Sequence, residues 1–149
     1  MTLLVQVATT WAMTGIIWFV QLVQYPSFAR VDATSFRDFH AHHSTAISLI
    51  VAPLMVAEAV SAFVFVWRPL RVQTPWQVWL GLALVGVIWA STFFVQVPAH
   101  QRLETGFDED AWRMLVHSNW IRTIAWSARA ALVSYWLIGM LRVGDRIVP

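Results

Sequence analysis

The chain has 149 residues, 58% of them hydrophobic and only 12% charged, and its ten basic residues, all arginine, face eight acidic ones. A soluble domain carries about 25% charged residues, so an ordinary water-exposed surface is excluded, and the scattered arginines form no stripe of the kind that binds nucleic acid. The absence of cysteine excludes disulfides, thiolate catalysis, iron-sulfur clusters and covalently attached c-type haem.

Residues 1–29 carry no charge and predict a first membrane helix over 3–24, since a hydrocarbon core about 30 Å thick takes ~20 apolar residues to cross. With no basic leader and no clear small-x-small cleavage site, the segment reads as a retained helix rather than a secretion signal. Gln24-Tyr25-Pro26 should end it, because proline lacks an N–H and restricts the residue before it. Trp18 and Tyr25 suit an interfacial aromatic belt. Between Pro26 and Ser44, Phe28, Val31, Phe36 and Phe39 are set among Arg30, Asp32, Arg37 and Asp38, the pattern of a short interfacial amphipathic helix.

A second span is expected over 44–67, where Glu58 is the only charge. Arg68-Pro69-Leu70-Arg71 and Thr74-Pro75 then make a short basic turn that should face the cytoplasm. That orientation puts Arg68, Arg71, Arg142 and Arg146 inside with both termini, against Arg30, Arg37, Arg102 and Arg113 outside. A third span, 76–104, should run through Pro98 and stop at Gly106, with Phe107 packing back on Leu103. Asp108 should cap a fourth span over 109–141, with Glu109 and Asp110 complementing its dipole. The expected fold is all-α: one integral membrane domain, a four-helix transmembrane bundle with a short interfacial helix between the first two spans, multi-pass in the plasma (bacterial inner) membrane.

Charges inside such spans need partners or a purpose. Asn119, Arg122, Trp126 and Arg129 recur on one face of the fourth helix, and Thr92, Gln96 and His100 on one face of the third. Glu58 lies fourteen residues beyond Ser44 and Arg129 fourteen beyond Leu115, where the apolar run of the fourth span starts, so both are ~21 Å deep at the helical rise. They are expected to form a structural ion pair, with a proton-relay carboxylate as the other reading of Glu58. Arg122 sits two turns nearer the outside without a carboxylate at its level. Its guanidinium suits a carboxylate, phosphate, phenolate or quinone oxygen; backbone carbonyls near Pro98 or Pro53, or lipid phosphates, are the alternatives.

His40 and His43 share a face at the start of the second span and converge with His100. Three imidazoles with an open position suit a zinc, copper or iron ion, and interfacial hydrogen bonding to water, lipid or Gln24 is the plainer reading. Glu58, ~20 Å below His43, is too far for a di-iron carboxylate site, and no second matched pair supports haem. The expected site is therefore an outer-leaflet pocket with His43, His100 and Arg122 as candidate catalytic groups and Gln24, His40, Gln96, Asn119 and Trp126 as ligand-binding ones. It would take a small amphipathic or aromatic, quinone-like molecule. In an enzyme, Arg122 and Asn119 would stabilise charge on a substrate oxygen while His43 or His100 acts as acid, base or metal ligand. The rival expectation is a non-catalytic accessory subunit, in a homo-oligomer or a larger membrane complex.

Gln24-Tyr25-Pro26, His40 and His43, Pro53 and Glu58, Pro98-x-His100 and Asn119-Trp120-x-Arg122-Thr123 together resemble a group of small bacterial four-helix membrane proteins of unassigned function, over most of the chain. More distantly the chain is similar to the anthrone oxygenase-like family, which has four membrane helices and an Asn and Arg near the start of the last, matched here by Asn119 and Arg122. The resemblance implies an oxygenase acting on a planar aromatic without an obvious cofactor. It carries no role for the histidines.

Overall fold

A computed structural model describes residues 1–145 and shows four long helices and, among those residues, no strand. Helix α1 is Thr2–Phe28, α2 Phe36–Trp67, α3 Pro75–Leu103 and α4 Glu109–Asp145. Each is long and apolar enough to cross a membrane. Large apolar side chains such as Leu49, Phe94 and Ile124 are exposed at 75%, 79% and 64%, a surface that hydrocarbon stabilises and water does not. Arg146, one of the arginines assigned to the cytoplasmic side, lies outside the described residues.

The helices run up and down, with α1 packed on α2 and α4, and α3 packed on α2 and α4. The connections, 29–35, 68–74 and 104–108, are short, as antiparallel neighbours require. Gln77 reaches back to accept the Thr74 backbone N–H at 3.1 Å, ahead of Pro75 at the first helical position of α3, where a missing N–H costs nothing. At the other end of α3, Gly106 has φ +145°, which a residue with a Cβ adopts only under strain. Asp108 Oδ1 accepts the backbone N–H groups of Asp110 and Ala111, both at 3.0 Å, and starts α4 as the sequence predicts. Those two bonds, Ala111's first, and Arg102 hold the Asp108 carboxyl below the usual carboxylate range.

The segment between the first two spans differs in detail from its expected form. Helix α1 does not stop at Gln24 but continues through Pro26 to Phe28, and residues 36–43 form the first turns of α2 rather than a separate element. A π turn over Val20–Gln24, in which the Tyr25 N–H bonds to Val20 O, makes this possible. The wider turn leaves room for the ring of Pro26, which has no N–H to give the ladder. Helix α3 repeats the device: a π turn over Thr92–Gln96 precedes Pro98.

Three layers of side chains fill the bundle. Tyr25, Phe28, Phe36, Leu103 and Leu115 pack at the distal end, away from the termini; Met13, Ile17, Met55, Ile88 and Trp126 in the middle; Leu3, Phe65, Val78, Val133 and Trp136 near the termini.

Candidate functional site

The middle layer holds a closed polar knot. Glu58 is 2% and Arg129 1% exposed, and Arg129 Nε donates to Glu58 Oε1 at 2.8 Å. The same oxygen accepts from Thr10 Oγ1 at 2.7 Å, and Oε2 accepts from Trp126 Nε1 at 2.8 Å. Arg129 Nη1 donates to the carbonyl of Gly81. All four helices contribute, and both carboxylate oxygens are occupied, so the knot reads as architecture.

Toward the distal end, α1, α2 and α3 separate around a cavity of about 330 Å³, at the lower end of the roughly 300–1,000 Å³ usual for ligand sites. Its walls are mainly apolar, from Met13, Ile17, Val51, Met55 and Trp89 among others, and its polar groups are Tyr25, His43, Ser48, Thr92, Gln96, His100 and Arg122. Arg122 is the sole contribution of α4. It is 8% exposed and has no ion-pair partner among the described residues. Its Nε is buried without a hydrogen bond, its Cζ lies 5.4 Å from the centroid of the Trp126 ring, and the Tyr25 hydroxyl stands beside it. A cation–π contact stabilises such a charge by about 0.5–2 kcal/mol, well short of replacing a counter-ion in this setting.

The histidines join a hydrogen-bonded chain at the distal end of the cavity. His40 Nε2 and His100 Nδ1 are 3.0 Å apart, and His100 Nε2 and Tyr25 Oη 3.1 Å apart. Tyr25 Oη meets Gln96 Oε1 at 3.3 Å, and Gln96 Nε2 donates to Ser118 Oγ at 2.8 Å. His43 lines the cavity beside this chain, its ring 6.2 Å from that of His100 and stacked on it.

Of the expected site residues, His43, His100, Gln96 and Arg122 therefore share one cavity. His40 stands behind His100, 1% exposed, outside the cavity wall. Three others stand off the cavity wall. Gln24 does not line the cavity, because the π turn fits an extra residue into the helix and brings Tyr25 inward in its place. Asn119 is fully buried and donates to Gln21 Oε1 at 3.0 Å, tying α4 to α1 rather than facing a substrate oxygen. Trp126 is fully buried with its N–H committed to Glu58 and Arg122 close to its ring.

His40, His43 and His100 are the ligands expected for a metal ion. Although the three histidine rings gather, no group of three His, Cys, Asp or Glu among the described residues is placed to hold a metal ion. Both nitrogens of His100 point at protein partners, His40 and Tyr25, so no common point receives three lone pairs.

Comparison with protein-family profiles, with curated proteins and with solved structures finds no match.

Tyr25 is the cavity residue that sequence reasoning missed. Its aromatic ring and its place before Pro26 read as an interfacial anchor, yet it is 3% exposed and central to the chain. The available signal was its spacing of four from Gln21, another inward-facing residue at 3% exposure. Gln6 and Thr10, both fully buried, complete the polar face of α1.

Proposed function

We propose that the chain is an integral membrane protein whose cavity binds a small amphipathic or aromatic, quinone-like molecule, with an oxygen of the ligand placed against Arg122. The observation that carries this reading is Arg122 itself: a buried guanidinium facing an apolar cavity, with an unused donor and no carboxylate. A buried charge in a membrane bundle is costly and marks a functional site by default, and a fork of donors is what a carboxylate or a quinone or phenolate oxygen recognises. The apolar body of the ligand would lie along Met13, Val51, Met55 and Trp89.

Four arginines fall on each side; with the short basic turn at Arg68 and Arg71 read as cytoplasmic, both termini are cytoplasmic too and the cavity lies in the outer leaflet of the plasma or bacterial inner membrane. His43 and His100 line the cavity with Arg122, an arrangement that supports an oxidoreductase- or oxygenase-like enzyme, the direction in which the distant resemblance also points. The accessory-subunit reading rests on a different feature. A lipid-facing groove of about 550 Å³ between α1 and α4, lined by Trp11, Gly15, Trp18, Ala130 and Ala131 among others, suits the close approach of a neighbouring helix.

The test is binding of a short-tailed benzoquinone to protein in lipid nanodiscs, read by quenching of tryptophan fluorescence. Hydrogen bonds to a charged group contribute about 1.5–3 kcal/mol, so Arg122→Ala should weaken binding roughly 10- to 150-fold. Unchanged affinity with unchanged thermal stability would remove Arg122 from the ligand site.

A further inference from the structure

The cavity opens on one side. Of the residues that line it, the exposed ones are Ser48, Ala52 and Val56 on α2 and Phe93 and Val97 on α3, each set recurring every four residues along one helix face. Val56, Phe93 and Val97 are 51%, 55% and 39% exposed. The lining residues of α1 and α4 are buried or half-buried, so the two exposed rows are the lips of a slot between α2 and α3. Toward the termini α2 packs on Pro75–Ser91 and closes the slot. At the distal end the rings of Phe28 and Phe36 pack on His40, and His40 Nε2 stands 3.0 Å from His100 Nδ1 across the two helices. Phe28 and Phe36 are fully buried and His40 is 1% exposed, so this cap seals the cavity from the polar edge.

The slot therefore looks into hydrocarbon. Val56 lies twelve residues beyond Ser44, ~18 Å at the helical rise, near the midplane of a layer about 30 Å thick. A charged head crosses such a face only at a high cost in free energy, whereas a neutral ring already dissolved in the bilayer does not. The cavity hydroxyls also restrict the head. Ser48 and Thr92 donate to the Ser44 and Ile88 carbonyls of their own helices at 2.6 and 2.8 Å, while Arg122 Nε has no partner, so the head that fits brings an acceptor. At about 330 Å³ the cavity has room for a ring and little more, and a chain attached to that ring has to leave through the slot.

We propose that the ligand is a single-chain membrane lipid with a neutral, quinone-like head, that it enters sideways between α2 and α3, and that its chain stays in the slot against lipid while a head carbonyl accepts from Arg122. This names the class and route of the ligand and rests on the cavity being a ligand site. Arg122, seven residues beyond Leu115, lies ~10 Å below the membrane edge. The head thus sits above Val56 and Phe93, and the chain runs down past them to the midplane, parallel to the lipid chains of that leaflet.

The test compares two tritiated probes on full-length protein in nanodiscs: a short-tailed benzoquinone, and the same ring on a long isoprenoid chain with a photoactivatable diazirine one isoprene unit from the ring. Apolar surface gives a chain no drive to leave lipid for protein, so the two affinities, each per mole fraction of probe in the lipid, should agree within about threefold. If the short-tailed probe binds and the long-tailed one does not, the cavity is closed to chains and the proposal is overturned while the ligand reading stands; binding of neither removes both. On illumination the adducts should fall on Val56, Phe93 or Val97. Adducts confined to Met13 and Ile17 on the far wall would mean a chain folded inside, and the slot would be overturned. Ala52→Trp, a lipid-facing change in the middle of the α2 lip, should weaken the long-tailed probe about tenfold or more and leave the short-tailed one within about twofold. Val60→Trp, at a position 59% exposed and off the cavity, should change neither. Equal affinity of the long-tailed probe for wild type and Ala52→Trp overturns the slot, and where that variant does not fold, the wild-type adducts decide.

Discussion

Replacing Glu58 with alanine should be among the most damaging single changes in this protein. The substitution leaves Arg129, 1% exposed, with the Gly81 carbonyl as its remaining partner, and it orphans the Trp126 N–H and the Thr10 hydroxyl. Removing one member of a buried pair costs about 3–5 kcal/mol, and the two orphaned donors place Glu58→Ala at the top of that range. Arg129→Ala should fall lower, because the carboxylate keeps Thr10 and Trp126 as donors. The double variant removes the charge that each single variant strands, so it should cost no more than Glu58→Ala alone. The sum of the singles then exceeds the double by about 3 kcal/mol, at the upper end of measured couplings. Reversible unfolding in mixed dodecyl maltoside and sodium dodecyl sulfate micelles, followed by circular dichroism, reads all three. A double variant equal to the sum within ~0.5 kcal/mol would mean that the two charges do not depend on each other, and the architectural reading would fall.

Two further outcomes are expected. A Cβ at Gly15 meets nothing within 4 Å, whereas one at Gly81 meets Trp136 at 3.3 Å and Leu132 at 3.5 Å. Gly15→Ala should therefore gain about 0.5–1 kcal/mol from helix propensity, while crowding offsets that gain in Gly81→Ala, and the same unfolding assay compares them. For Asp108 the folded carboxyl titrates below its unfolded value, near 3.9, chiefly through the Ala111 N–H and then Arg102. A depressed carboxyl contributes stability that is present above the unfolded value and lost as pH falls through the folded one. The thermal midpoint should thus drop on acidification below about pH 4, and less steeply in Asp108→Asn, which has no charge to lose; identical slopes would exclude the cap as the cause.

The fold was legible because its determinants are long and one-dimensional. Long apolar runs gave four spans, Asp108 gave the start of α4, and an equal count from Ser44 and from Leu115 put Glu58 and Arg129 at one depth, where the structure has them in contact. The site was less legible, and the reason is local. Face assignments assumed a uniform helical period, which holds in α4, where Arg122 and Arg129 both turn inward. It fails in α1, where the period changes at Val20–Gln24. There a uniform period places Gln24 inward, whereas Tyr25 reads as an interfacial anchor from its ring and its place before Pro26.

Pro26 reads as a stop and Pro98 as a position the helix runs through, yet both prolines follow a π turn by two residues. The turns before Pro26 and Pro98 deliver, respectively, Tyr25 from α1 and Gln96 and His100 from α3, three of the polar groups at the cavity's distal end. Proline alone does not require the wider turn, since Pro53 lies within α2 without one. What distinguishes Pro26 and Pro98 is the polar side chain that each wider turn brings inward, and it is these groups that meet Arg122 of the regular α4 around one small space while Arg129, two turns deeper, closes on Glu58.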